Sequence, residues 1–300
     1  MGPLDKFTNE KPSGCLYHYT GVSGLLGIIK NHTLWATDYR HLNDRKEYRI
    51  GERLLREELR ARRIDEIHRK AFETLVAQIQ KGCYVLSFSE NGDQLSQWRA
   101  YCPGGNGYAL GFQQTNALFA SAKQHRFNLV RCVYNLREQK TLCKYLVNSY
   151  IEGVITNKSW HAGKGWESRA EAFFTRYQWH FALGLVMAAL KHSGFEEERE
   201  WRLVSQYPEE SMYGVAFRAG RFGVTPYFEL PLNVAKPRCP EDQRPQEDET
   251  RQEEPLYTID EIIIGPTSNR AASRPALDLL LSKNCTGALQ IKTSRTPLRL

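Results

Sequence analysis

Leu16-Tyr-His-Tyr-Thr20, followed through Gly21 by the apolar run Val22-Ser-Gly-Leu-Leu-Gly-Ile-Ile-Lys30, is the stretch from which the fold is read. The first five residues predict a short strand. Leu25, Leu26, Ile28 and Ile29, at helical spacing, predict a helix springing from its end. Alternation puts Leu16, His18 and Thr20 on one face of that strand and Tyr17 and Tyr19 on the other. A strand that opens directly into a helix is one way a nucleotide-binding cleft begins. The His18 imidazole can donate to a ribose hydroxyl there, while Thr20 supports a phosphate or holds the helix start. The same residues also suit a buried histidine bonded to a backbone carbonyl, with Thr20 as an N-cap.

Working outward, 34–37 is a second extended piece, and Asp44 is a candidate N-cap for a helix to about Arg60. A further helix covers roughly 64–80, and Cys83-Tyr-Val-Leu-Ser-Phe-Ser89 is a strand ended by Asn91-Gly92. A helix over 94–101, a Gly-rich turn, a strand over 108–112, a helix over 115–123 and a strand over 127–134 follow. Helical patterns dominate 136–157 and 167–191. Strands then alternate with turns at 198–204, 215–218, 224–230, 259–264 and 289–293, with one helix over about 271–282. Strands at both ends with helices between them predict a single α+β domain spanning 1–300. It has a mixed sheet, helical insertions at about 44–80 and 136–191, and a flexible N-terminus over 1–14. The Pro-, Gln-, Glu- and Asp-rich stretch 237–255 reads as a disordered acidic loop.

Composition excludes several classes. No apolar run reaches the roughly 18 residues of a membrane span; Phe181 to Leu190 reads as a buried helix. The N-terminus lacks the apolar core of a secretory signal, so a cytoplasmic protein with no membrane partner is expected. Seven scattered cysteines without a C-x-x-C pair favour reduced thiols over disulfides or zinc, and no metal site is expected. The net charge of +7 suits an anionic partner. Much of the surplus over 45–70, however, is interleaved with Glu47, Glu52, Glu57, Glu58, Asp65 and Glu66, which is the pattern of a solvated helix face. P-loop, metalloprotease and nucleophile-elbow motifs are absent from the sequence.

The second informative stretch is Glu198-Arg-Glu-Trp-Arg202. Strand alternation would set Glu198, Glu200 and Arg202 on one face, opposite Trp201 and Leu203 in the core. Paired carboxylates can stabilise an oxocarbenium-like centre, and their mutual repulsion raises one pKa. They equally fit an acidic, solvated strand end, since Glu196 and Glu197 precede them. Ser87 and Ser89, flanking Phe88, can brace a ligand or reflect polar-out alternation. Trp98 and Tyr101, neighbours on one helix face, can stack an adenine or nicotinamide ring or belong to the core.

Taken in order, Tyr17-His-Tyr-Thr20, Leu34-Trp35, Leu42-Asn-Asp-x-x-Glu47, Ser87-Phe-Ser89, Gln97-Trp98-x-x-Tyr101, Gly107-Tyr and Glu198-x-Glu-Trp-Arg202 resemble a widespread bacterial family of unknown function, over roughly 15–300. That family in turn resembles the ADP-ribosyltransferase superfamily, including the DNA-modifying DarT-type toxins, which also open with an aromatic-His-x-Thr strand and an apolar helix. The resemblance implies a split-sheet fold and NAD as substrate, with transfer of ADP-ribose to a nucleic-acid or protein acceptor, or to water. It also implies a role as a toxin or antiphage defence effector. By position it makes His18 the NAD ribose contact, with Thr20 beside it, and Ser87 and Ser89 the supporting strand. Glu200 becomes the catalytic carboxylate with Glu198 alongside, and Trp98 and Tyr101 complete the NAD-binding set. Tyr101 is the candidate for the tyrosine of the His-Tyr-Glu subclass. The alternatives are a non-catalytic nucleotide- or nucleic-acid-binding module and, ranked lower, an RNA 2′-phosphotransferase-like enzyme. The latter calls for several cleft arginines, and Arg99 and Arg202 are the obvious candidates.

Overall fold

The computed structural model describes residues 2–42, 47–79, 82–102, 106–156, 179–206, 214–220, 223–232, 259–267, 270–284 and 289–297. In chain order its elements are α1 (Pro3–Asn9), β1 (Leu16–Gly21), α2 (Val22–Asn31), β2 (Thr33–Asp38), α3 (Glu47–Arg60), α4 (Glu66–Ile79), β3 (Cys83–Ser89), α5 (Leu95–Tyr101), β4 (Gly107–Phe112), α6 (Ala117–Gln124), β5 (Asn128–Arg131) and α7 (Leu136–Tyr150). They continue with α8 (residues 179–189), β6 (Glu200–Gln206), β7 (Val215–Gly220), β8 (Gly223–Pro231), β9 (Glu261–Ile264), α9 (Arg270–Asn284) and β10 (Gln290–Thr293). The architecture is mixed α+β, as the sequence predicts. Where the sequence suggests one domain, the chain divides into two compact units, each assembled from three separated stretches.

The first unit comprises Met1–Lys11, Trp35–Ser87 and Arg126–Glu229. Its strands run in the order β7-β8-β2-β3-β6-β5, with β5–β6, β7–β8 and β2–β3 antiparallel. Its helices bury apolar faces at helical spacing: Phe72, Leu75, Val76 and Ile79 of α4, and Leu142, Leu146 and Tyr150 of α7. Phe72, Tyr150 and Trp179 pack ring to ring with centroids 4.9 to 5.7 Å apart. Gly51 allows α3 to lie close on α8, because a Cβ there would stand 2.6 Å from Met187 Sδ. The expected flexible N-terminus is instead partly helical: Pro3–Asn9 forms α1 with Phe7 2% exposed. Asp5 accepts from the Gly2 amide, and Glu10 pairs with Arg131, so capping and an ion pair tie this segment down.

The second unit comprises Pro12–Leu34, Phe88–His125 and Leu230–Leu300. β1 lies antiparallel to β4 from Leu16↔Phe112 to Gly21↔Gly107, β4 is antiparallel to β9, and β10 is parallel to β9. On the other edge of β1, Tyr17 pairs with Ser89. This register sorts side chains onto two faces. Tyr19 packs with Trp98, Cys102, Ala109 and Ile263 on one, while His18 meets Phe88 on the other. The acidic stretch 237–255, the Asp44 cap and residues 167–178 of the helix expected over 167–191 lie outside the described residues. Among the described residues no helix is long and apolar enough to cross a membrane.

Candidate functional site

Glu198 does not belong to the strand that simple alternation assigns it to. Ser193–Glu198 is a 3₁₀ turn capped by His192, and Arg199 adopts a left-handed conformation (φ 43°), so β6 begins only at Glu200. The two carboxylates nevertheless converge, through a residue outside the motif. Lys191 Nζ donates to Glu198 Oε2 and to Glu200 Oε2, each at 2.5 Å. Arg202 closes the cluster: Nε donates to Glu200 Oε1 at 2.7 Å, Nη2 to Oε2 at 3.0 Å and Nη1 to the Ala188 carbonyl at 2.6 Å.

The backbone around this quartet is equally held. Lys191 N donates to Val133 O, Val133 N to Ala189 O, and Cys132 N to Glu200 O. Gln139 Nε2 donates to the Val133 and Lys191 carbonyls at 2.7 Å, and the Tyr134 hydroxyl accepts from Glu200 N at 2.9 Å. Two carboxylates face two cations, so the buried cluster is charge-balanced. Burial alone would raise the Glu200 pKa. The Arg202 and Lys191 charges and hydrogen bonds outweigh it and hold the carboxyl at about 2. Like-charge repulsion, expected to raise it, is overcome because an ammonium stands between the two carboxylates.

This geometry corrects the roles read from the sequence. Glu200 is 7% exposed with both oxygens engaged, so it faces neither cleft nor solvent. Glu198, whose side chain is 18% exposed, is the carboxylate of the pair that reaches the surface. Sequence reasoning misses Lys191 because it follows the buried run Phe181 to Leu190 as an ordinary helix-end lysine. The available signal is a cation directly behind an apolar helix, seven residues before Glu198.

The remaining residues separate. Glu198, Glu200 and Ser87 belong to the first unit; His18, Thr20, Ser89, Trp98 and Tyr101 belong to the second. Within the second unit, His18 lies edge-on to Phe88 at 6.0 Å, whereas Ser89 lies opposite Tyr17 and hence on the other face of the sheet. The register therefore does not bring His18 and Ser89 together. Ser89 Oγ accepts from Asn91 N at 3.1 Å and shapes the turn after β3. The Thr20 hydroxyl rests on α2, where a Cβ on Gly24 would stand 1.9 Å from its Oγ1. Trp98 cannot stack a ligand ring as expected. It is fully buried, edge-to-face on Tyr19, with Nε1 donating to Asp93 Oδ1 at 2.8 Å. Tyr101, one turn on, keeps 38% of its surface exposed.

Asp93 is a centre the sequence did not reveal. Besides Trp98 it accepts from the Ser294 and Thr296 hydroxyls and the Arg295 amide. These bonds hold its carboxyl below the usual range despite burial. It fastens the segment after β10 to the loop after β3. Burial pushes the thiols of Cys15 and Cys102 up to about 11 and those of Cys83 and Cys143 up to about 12, which makes them poor nucleophiles at neutral pH. Among the described residues no three His, Cys, Asp or Glu side chains are grouped to hold a metal ion.

Residues 97–203 match the model of a family described as "Protein of unknown function (DUF2971)". The matched stretch takes in Gln97-Trp98-x-x-Tyr101 and the whole Lys191–Glu198–Glu200–Arg202 cluster, and leaves out the opening strand. No curated protein and no solved structure matches the chain.

Proposed function

We propose that the chain is an NAD-dependent ADP-ribosyltransferase-like enzyme, which breaks the bond between nicotinamide and ribose and passes ADP-ribose to a macromolecule or to water. The observation that supports this reading is the pair of carboxylates organised on one ammonium, with Lys191 Nζ 2.5 Å from both Glu198 and Glu200. Cleaving a glycosidic bond needs a carboxylate fixed where positive charge develops on the ribose. A side chain already ordered by buried partners meets that charge with little reorganisation. In this reading Glu198 is the catalytic residue. Glu200 is a positioning residue that anchors Lys191 and, through it, Glu198. The split-sheet ADP-ribosyltransferase core and a role as toxin or defence effector go with the same reading.

Nicotinamide release and NAD binding, measured side by side, test it. Glu198→Gln should lower kcat by roughly 100- to 1,000-fold while leaving NAD affinity and folding nearly intact, because the lost interaction is strongest in the transition state. Glu200→Gln should lose activity together with stability. A fully active Glu198→Gln enzyme would remove the assignment.

A further inference from the structure

Within the first unit, β2, β8 and β7 carry a half-exposed indole and an exposed arginine that no part of the NAD reading uses. Trp35 is 37% exposed although Leu34 and Ala36 on either side of it are fully buried. Its indole lies against the Tyr227 ring, with centroids 4.4 Å apart and planes 36° from parallel. The Arg218 guanidinium lies over both rings, 5.5 Å from the Trp35 centroid and 6.0 Å from that of Tyr227, and Nη2 donates to Thr37 Oγ1 at 3.0 Å. Arg218 pairs with Thr225 in the β7–β8 register, which places it on the same face as Tyr227 and Glu229. The Tyr227 hydroxyl donates to Glu229 Oε1 at 3.3 Å.

We propose that this face is a stacking platform for single-stranded nucleic acid. Every nucleobase has a π-face that stacks on indole or guanidinium; here the half-exposed Trp35 and the exposed Arg218 offer both, backed by the Tyr227 ring, which is 6% exposed. Arg218 supplies positive charge for the phosphates at the rim, and the Glu229 carboxylate can accept from an exocyclic amine. The net charge of +7 favours a polyanion. The chemistry disfavours a cationic guest such as a lysine- or arginine-rich peptide, because Arg218 already fills the cation position over the rings. A duplex keeps its bases stacked inside and offers nothing to the indole.

The test is fluorescence anisotropy on the full chain, without NAD, using fluorescein-labelled single-stranded DNA and RNA 20-mers, the matching duplexes and a lysine-arginine peptide. Wild-type protein should bind a single strand more tightly than the duplex. Trp35→Ala should weaken that binding about 10-fold or more, and Trp35→Phe should restore most of it. Arg218→Ala should weaken binding and reduce the slope of log affinity against log salt by about one. Arg218 is solvent-exposed, so this variant keeps the proposal testable even if Trp35→Ala fails to fold. Three results overturn the proposal: equal affinity for duplex and single strand, wild-type affinity in both Trp35→Ala and Arg218→Ala, or capture of the peptide in preference to the oligonucleotides. Nicotinamide release is a separate measurement, so failure of either proposal leaves the other standing.

Discussion

At the scale of single residues, Glu200 and Glu198 differ in what surrounds them, and this makes their substitutions distinguishable. Removing the Glu200 charge leaves Arg202, 2% exposed, and Lys191, 4% exposed, without their shared counter-ion. Loss of one partner from a buried ion cluster typically costs about 3–5 kcal/mol. Urea unfolding of Glu200→Gln should show a loss of that order, whereas Glu198→Gln, partly exposed, should lose about 1 kcal/mol or less. The same carboxyl predicts a pH effect. Its pKa in the folded chain, about 2, lies below its ordinary 4.5. Its ionisation therefore stabilises the fold fully above pH 4.5, and that contribution is lost as the pH falls from there toward 2. The contribution is about 3 kcal/mol. Acid unfolding of Glu200→Gln should lack this component; an unchanged acid transition would mean that Glu200 is not the titrating group.

At the scale of elements, the β1–α2 junction is set by one close approach. A methyl group on Gly24 would collide with Thr20 Oγ1, so Gly24→Ala should destabilise the chain by about 1–3 kcal/mol. Adding Thr20→Ala should recover part of that loss, and thermal unfolding of the single and double variants checks it. Full recovery is not expected, because the Thr20 Cβ would still stand 3.3 Å away. A Thr20 that binds phosphate instead would show its effect in ligand affinity, with little coupling to Gly24. Local patterns such as these are legible in the sequence. Leu16 to Thr20, the periodic leucines and isoleucines of α2 and the β-prone apolar run of β3, buried on both faces, each specify their element within a few residues. What cannot be read depends on a single dihedral or a distant partner. The left-handed Arg199 detaches Glu198 from β6, so counting by twos along Glu198-x-Glu fails there. Trp98 has the residue type of a stacking surface, but Asp93 and Tyr19 claim its edge and face.

At the scale of the whole molecule, each unit is closed by residues far apart in the chain, which no short-range pattern announces. Asp93 meets Ser294 to Thr296 across about two hundred residues, and Tyr17 reaches Glu261. A chain cut after residue 258 would lose β9, β10 and α9, baring the edge of β4 and stripping Asp93 of three partners. It should be recovered largely as aggregate, and a soluble truncated chain with native near-ultraviolet dichroism would refute that dependence. Asp93→Ala should act in the same direction more mildly, with faster amide exchange at Arg295 and Thr296 than in wild type.

The proposed cleavage of NAD is tested most directly by nicotinamide release by the purified chain, with NAD alone and then with DNA, RNA or cell lysate as acceptor. Wild type should release nicotinamide in at least one of these conditions, and Glu198→Gln should nearly abolish that release at unchanged NAD affinity. Wild-type protein inert toward NAD in every condition, with no bound nucleotide, would contradict the claim.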